Sequence, residues 1–501
     1  MGDHQIAFFL RESAAPEPER RAAALKGLGR RGGAAHVPVL TGAAADPEPS
    51  VRAAAARALG RLGIPEAGRE VLPRLMGDAD AGVRRRACVA ATRLGLQGPT
   101  VVGAFARLLS DPDHHVRILA LEGLSVLRVP GDAVALVACL GDRDPAVWGR
   151  AVSLLYGCAD DRDVRAELVR TARQGRGAAR ARVLERLPRQ CTEQLVDALL
   201  DALRDPSPQV RRQAARRLSD VRHRQVQDTL AAALRTERDP EVAATLLSGL
   251  GDQADEWLVD VAVGWLRDPV AGPPAARVLG ALDPGPAATH LRTALADETV
   301  PARTRAACAT AIGAGGRWDA VWLLLPLLDD PDDDLRAGVL DGLDHLAEKG
   351  LRPWERHPVA WALSAHLESD ARHTWRTRNA LRYLAQALPA VRRLADTAAS
   401  GEVRAAALSL LDGDDATDEH LRSDVRRFLR GLDDPHETVR YEAVLGLRRW
   451  ADAHGSWPPG AGPAARERLT ALTADSSPRL RDAATGLLAA LDSGAAPSGQ
   501  A

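Results

Sequence analysis

The stretch Pro47-Glu-Pro-Ser-Val51-Arg52-Ala-Ala-Ala-Ala-Arg57-Ala-Leu59-Gly60 decides the fold, because it lines up without a gap on Pro16-Glu-Pro-Glu-Arg20-Arg21-Ala-Ala-Ala-Leu-Lys26-Gly-Leu-Gly29. Self-similarity at a fixed period outranks any local reading of secondary structure. The same frame returns from Asp78, Asp111, Asp205, Asp330 and Asp434. With the Val of the Val-Arg pair as marker, it falls at Arg20, Val51, Val83, Val116, Val147, Ala179, Val210, Val242, Ala271, Thr304 and Leu335, at a mean interval of 31.5 residues. Beyond Leu335 the spacing loosens, with markers near Thr377, Val403, Val439 and Leu480; this makes fifteen units, of which those at Ala179, Ala271 and Thr377 are degenerate.

Within a unit the apolar residues stand at the marker and at +4, +7, +8 and +11, as in Val51, Ala55, Ala58, Leu59 and Leu62. At 100° per residue these fall on one arc, the buried face of an α-helix. The Asp-Pro before the marker reads as a helix start, and Gly near the end as its release. A second amphipathic stretch lies upstream of each Asp-Pro, such as Val101 to Leu109 or Val321 to Leu328, so each unit is predicted to be a helical hairpin. The small residues at +4 and +7 account for a chain of 501 residues with only 3% aromatics: helices that approach closely need no large rings between them.

Composition narrows the rest. With 66 basic and 67 acidic residues the net charge is −1, which gives no global attraction to nucleic acid or to an anionic membrane. All but two of the basic residues, Lys26 and Lys349, are arginine, and the Arg, Ala and Gly bias looks like that of a GC-rich bacterial genome. Cys88, Cys139, Cys158, Cys191 and Cys308 are widely spaced with no Cys-x-x-Cys pair, which suggests buried thiols in a reducing compartment. The opening MGDHQIAFFLRES has no basic leader region, and no apolar run is long enough to span a bilayer, so a cytoplasmic protein is expected.

The pattern Asp-Pro-x-x-x-Val-Arg-x-x-Ala followed by Ala/Gly-Leu-Gly resembles the HEAT repeat, particularly the short bacterial variety named after phycobilisome-lyase subunits. The resemblance covers roughly residues 10 to 492. It implies an all-α, right-handed α-solenoid of about fifteen stacked hairpins, a HEAT/armadillo-like superhelix whose concave surface is lined by the second helix of each hairpin. Such solenoids are most often protein-binding scaffolds, while some are enzymes or nucleic-acid binders. In similar repeats the Arg at +1 (Arg52, Arg84, Arg117, Arg211, Arg336, Arg440, Arg481) pairs with an Asp of the adjacent unit, so these residues are read as a structural ladder and not as a phosphate track.

The expected organisation is regular repeats over 1–345, an irregular Trp/His-rich repeat with an insertion over 346–400, further repeats over 401–492 and a disordered tail at 493–501. Positions +2 and +6, which would face the concave groove, carry few charges, too dilute to neutralise a row of phosphates. The strongest local charge is +7 over residues 161 to 224, where Arg212 and Arg216 stand one turn apart. The acidic run Asp329-Asp-Pro-Asp-Asp-Asp334 lacks the Gly and closing Glu of a calcium loop and reads as a helix start. Residues 351–378 gather Trp354, His357, Trp361, His366, His373 and Trp375 among Arg356, Arg372, Arg376 and Arg378, at the point where the period slips. Inserted residues in a solenoid map to loops and binding elements, and Trp with Arg are the preferred anchors of interfaces; tryptophan also fills gaps in a poorly packed unit. Trp148 replaces the ladder Arg of its unit and is expected to pack between repeats. The pair His436-Glu437 reads as a capping box with Asp434, and His454 to Gly460 as a turn-rich connection.

No P-loop, nucleophile elbow, His-Glu-x-x-His or dinucleotide fingerprint is present, so no catalytic residue, cofactor or metal is assigned. The expected function is a non-enzymatic scaffold for a protein or peptide partner on the concave surface, with Arg212, Arg216, Trp354, His357, Trp361, His373, Trp375, Arg376 and Tyr441 as candidate contacts and no membrane association. Two alternatives stay open: a lyase or isomerase, or its accessory subunit, acting on a groove-bound ligand, and nucleic-acid binding through residues 161–224.

Overall fold

The computed structural model describes residues 2–186, 195–221, 223–251, 257–282, 286–316, 319–411, 418–454 and 462–493. Cys191, Arg222, most of the connection before Gly460 and the tail beyond Ser493 lie outside them. Among the described residues every regular element is a helix, and the chain divides into two compact units, Met1–Gly249 and Leu250–Ala501. Each is a run of helical hairpins, eight in the first and seven in the second, from Gly2–Glu12 with Pro18–Arg31 to Gly462–Leu472 with Pro478–Ser493. Within a unit, first helices lie against first helices and second against second. The fold is an α-solenoid, as the periodicity implies.

The buried arc is largely the one the spacing predicts: Val51, Ala55, Ala58 and Leu59 are buried, as are Leu480, Ala484 and Leu487 in the last unit, while Leu62, Leu488 and Leu491 at its edge are half-buried. Within each unit a hairpin buries its apolar stripe against its neighbours, so the core of each is a row of Leu, Val and Ala.

The +1 arginines form the expected ladder except Arg481 in the last unit, which among the described residues donates only to the carbonyls of Asp475 and Ser476. Arg52 donates from Nε and Nη2 to Asp78 Oδ2 and Oδ1 at 2.7 and 2.8 Å, while Nη1 donates to the carbonyls of Asp46 and Pro47 at 2.9 and 2.8 Å. One guanidinium thus closes its own turn and clamps the next. The arrangement recurs in Arg21–Asp46, Arg84–Asp111, Arg117–Asp142, Arg211–Glu237 and Arg404–Asp434, with single ionic contacts in Arg180–Asp205 and Arg440–Asp475. The Arg52 guanidinium holds the Asp78 carboxyl below the usual carboxylate range, and Arg21 does the same to Asp46.

Two local expectations change. Where the Asp of Asp-Pro stands five residues before the marker it is not the helix cap: Asp46 accepts the Glu48 amide at 2.9 Å and shapes the turn, and the helix begins at Pro49, whereas Asp144 of Asp144-Pro145, three residues before Val147, caps its helix through the Ala146 amide at 2.7 Å. The cap, where there is one, stands three residues before the marker, as Asp80 does for the Val83 amide at 3.0 Å and Asp113 for that of Val116 at 3.1 Å. Asp434 likewise accepts the His436 amide and pairs with Arg404, so the capping box with Glu437 does not form. The glycine at +9 does not release the helix either. A Cβ on Gly60 would stand 2.8 Å from the Ala90 Cα, and one on Gly29 2.6 Å from the Ala58 Cα, so these glycines let neighbouring second helices touch backbone to backbone. Release falls to residues such as Gly63, at φ +76°.

Trp148, at a ladder position, packs between repeats as expected. Arg182 of the following hairpin lies with its guanidinium carbon 4.5 Å from the Trp148 ring centre and donates to the carbonyls of Leu140 and Asp142. It thereby supplies from the next unit the cation that position 148 lacks.

Candidate functional site

The break in period lies in the second unit. Helices Asp333–Lys349 and Pro353–Ser369 each have 17 residues, against 14 for a regular second helix such as Pro49–Leu62. The inserted residues therefore lengthen two helices and open no loop. The second helix that follows, Thr374–Leu381, has only 8. His373, Thr377, Ala380, Leu381 and Leu384 are buried, which is the marker, +4, +7, +8 and +11 pattern counted from His373. The marker of this unit is His373 and not Thr377. The shift has a physical reason: Asp370 stands at the cap position, accepts the Arg372 amide at 3.0 Å, and also takes Arg336 at 3.1 Å as the ladder acid. One residue does the work of two, the turn shortens, and Thr374 stands where the next ladder Arg would be.

The aromatic residues of this segment fall on two layers. Trp354 and Trp361 lie seven residues apart on the first helix Pro353–Ser369, hence on one face, and are 63% and 76% exposed. Exposed His357 shares that face and the Arg352 guanidinium carbon lies 5.5 Å from the Trp354 ring centre. Trp375, 41% exposed, and Arg376 belong to the second-helix layer, where Arg376 is ion-paired with Asp341 of the preceding second helix. Trp322, in the hairpin before, is a further exposed ring that the sequence did not single out.

His373 is not an exposed contact. It is buried, with Nε2 3.3 Å from Asp333 Oδ1, and buried His366 holds its Nε2 3.9 Å from Asp370 Oδ2. Arg336 joins the two acids, reaching Asp333 at 2.6 Å and Asp370 at 3.1 Å. Burial pushes the His366 imidazole below its ordinary value, against an opposing pull from Asp370. The sequence marks His373 as a contact because a histidine there looks polar and therefore exposed.

In the first unit, Arg212 and Arg216 line an open groove of about 610 Å³ on the second-helix layer, together with Glu185, Asp220, Glu241 and Ser248. Arg212 meets Glu241 at 3.1 Å, and Arg216 is exposed with no ion pair among the described residues. Much of the surrounding basic charge is turned inward: Arg180 and Arg211 are rungs, and Arg217 donates to the carbonyls of Leu184 and Glu185. Tyr441 is half-buried beneath Arg479 of the next hairpin, whose guanidinium carbon lies 4.3 Å from the ring centre, so the ring has a partner within the protein.

The buried thiols fit a structural role. Burial pushes Cys88 and Cys308 up to about 12 and Cys139 to about 11. Among the described residues no helix is long and apolar enough to cross a membrane.

A family model described as HEAT repeats matches residues 7–72, 68–156 and 159–251. No curated protein matches the chain. Among solved structures, importin beta in a polyethylene glycol condition is similar at a TM-score of 0.66 and 12% identity, over 98% of this chain and 82% of that one. Yeast importin-beta (Kap95p) gives 0.51 and 14%, over 98% and 79%, and Kap95p bound to RanGDP 0.53 and 12%, over 98% and 76%. The HEAT match falls in the first half of the chain, and the second unit repeats the same hairpins and rungs, so each unit has the fold of a HEAT-repeat solenoid.

Proposed function

We propose that the protein is a non-enzymatic, cytoplasmic scaffold that holds a protein partner. The reading is carried by the exposure of Trp354 and Trp361 on one helix face, beside Arg352, Arg356 and His357. Rings exposed to this degree contribute little to packing, and leaving them in water has a cost that a partner's apolar side chains would remove. Burying half of a ring of roughly 200 Å² at about 25 cal/mol per Å² is worth about 2–3 kcal/mol each. The neighbouring cations favour a partner segment that mixes apolar and acidic residues. Trp375 and Arg376, and separately the groove at Arg212 and Arg216, are secondary contact surfaces on the second-helix layer. Kap95p, one of the similar folds, binds RanGDP, and that likeness supports a protein partner in general terms.

The test is quantitative recovery from cells of the source organism, by cross-linking and mass spectrometry, with wild type and a Trp354→Ala/Trp361→Ala variant side by side. The scaffold reading expects one or a few proteins enriched on wild type and reduced at least about a hundredfold in affinity on the variant. Equal recovery on both, or no enriched protein on either, refutes it.

A further inference from the structure

His366 and His373 are 4% and 8% exposed, and the Nε2 of each makes no hydrogen bond. An unpaired polar nitrogen in a core costs about 1–3 kcal/mol, and the fold has no need of either. At the marker position most other units place an apolar residue such as Val83, Val116 or Leu335, and the ladder uses only Asp370 and Arg336. The two imidazoles nevertheless point at carboxylates. His373 Nε2 lies 3.3 Å from Asp333 Oδ1 and His366 Nε2 3.9 Å from Asp370 Oδ2, while one ligand atom each from Asp333, Asp370 and His373 fall within 4.8 Å of one another.

These separations are too long for charge-assisted hydrogen bonds, which close to about 2.7–2.9 Å. They suit ligands around an ion. Zinc bonds to nitrogen and carboxylate oxygen are about 2.0–2.2 Å, so the ligands of a tetrahedral site stand about 3.3–3.6 Å apart. The His373–Asp333 separation already has that value, whereas His366, 3.9 Å from Asp370 and outside the Asp333–Asp370–His373 cluster, must turn its ring inward to join as the fourth ligand. Two imidazole nitrogens and two carboxylate oxygens suit a divalent first-row transition ion, zinc before magnesium or calcium.

We propose that Asp333, Asp370 and His373 form a binding site for a divalent transition ion, with zinc the best fit and His366 swinging in beside Asp370 as the fourth ligand, which pins helix Pro353–Ser369 to the second helices on either side of its turn. Arg336 shares both carboxylates and Arg372 lies 3.3 Å from Asp333, so these cations compete for the acids and moderate the affinity. The site goes beyond the scaffold reading and does not depend on it. It also departs from the sequence analysis, which assigned no metal.

The test uses the untagged full chain after chelator treatment. Zinc is titrated by calorimetry and by thermal midpoint, and cobalt(II) by its visible ligand-field absorption, which is intense only in four-coordinate sites. The decisive variant is His373→Val, which installs the residue that fills this position in other units and therefore folds; circular dichroism checks that it does. His366→Leu is the second variant. His114→Ala/His115→Ala is the control, because Asp113, His114 and His115 form a separate, largely exposed cluster. The expected result is one equivalent bound per chain, a raised midpoint with zinc, a tetrahedral cobalt spectrum, and affinity lower by about a hundredfold or more in His373→Val and His366→Leu. Absence of stoichiometric uptake overturns the proposal. So does wild-type binding by both core variants, or loss of binding only in the control.

Discussion

Replacing Arg84 by methionine removes the most deeply buried rung of the ladder. Arg84 and Asp111 are 8% and 7% exposed, and the guanidinium makes four hydrogen bonds: to Asp111 Oδ2 and Oδ1 at 2.7 and 2.8 Å and to the carbonyls of Asp78 and Ala79 at 2.9 Å each. Charge-assisted bonds contribute about 1.5–3 kcal/mol apiece, about 6–12 kcal/mol in sum, and desolvating the two ions takes back several kcal/mol. What remains is about 3–5 kcal/mol for breaking the pair from one side, because Asp111 is then left buried with only the Asp113 amide at 2.9 Å to compensate it. Repeat proteins open locally, so the readout is hydrogen exchange in peptides from Ala81–Arg93 and His114–Leu127, the two helices joined by this rung. Exchange there should accelerate by about two to four decades in Arg84→Met. The double variant Arg84→Met/Asp111→Leu should return to within about 1 kcal/mol of wild type, since neither charge is then buried alone. An effect below about 1 kcal/mol in the single variant, or no recovery in the double, would show that the rungs are incidental.

The glycine contacts make a paired test. A Cβ on Gly313 would meet the Gly342 carbonyl oxygen at 2.2 Å and its Cα at 2.4 Å, whereas Gly315 on the same helix faces open space; Gly313→Ala should cost about 1–3 kcal/mol in thermal denaturation and Gly315→Ala should stabilise by about 0.5–1 kcal/mol. With Cys88 and Cys308 pushed up to about 12 and buried, neither should react with an aromatic disulfide reagent at pH 8 until denaturant is added; prompt reaction in the native protein would contradict their placement. Arg21 and Arg52 depress the Asp46 and Asp78 carboxyls in the folded state, so their stabilisation is fully present above the unfolded carboxylate pKa of about 3.9 and is lost as pH falls from there through the lowered folded-state values. Asp78→Asn should therefore flatten the dependence of stability on pH below about 4, measured by urea titration at each pH, and an unchanged slope would refute the linkage.

The ladder was legible through the resemblance, because similar repeats pair the +1 Arg with an Asp of the adjacent unit and both residues recur together here. The hairpins were legible from their own periodicity. What escaped the sequence lies where a contact joins non-equivalent positions. Arg182 stands in for Trp148 from the next hairpin, and nothing in its own unit marks it for that role. The +9 glycines looked like helix ends because Gly is common there; that Gly60 touches Ala90 depends on how closely two helices pack. The register at His373 was hidden because burial was inferred from hydrophobicity, and a buried histidine breaks that inference. Of the candidate contacts, the sequence gathered Trp354, Trp361, Trp375 and Arg376 into one cluster by proximity in the chain, while the hairpin assigns them to different layers.

The double grip of each ladder arginine also bears on how such a chain can change its length. A hairpin carries its own acid five residues before the marker and its own arginine one residue after it, as Asp78 and Arg84 do around Val83. Duplicating or excising one whole period among the units that carry both residues, such as those at Val51, Val83 and Val116, leaves each rung with both partners, so this part of the chain can grow or shrink by about 31 residues without leaving a buried charge alone. Two seams resist such editing. At Trp148 the cation is borrowed from Arg182 of the neighbour, and at Asp370 one carboxylate serves two purposes, so a crossover at either place would strand a charge or a ring.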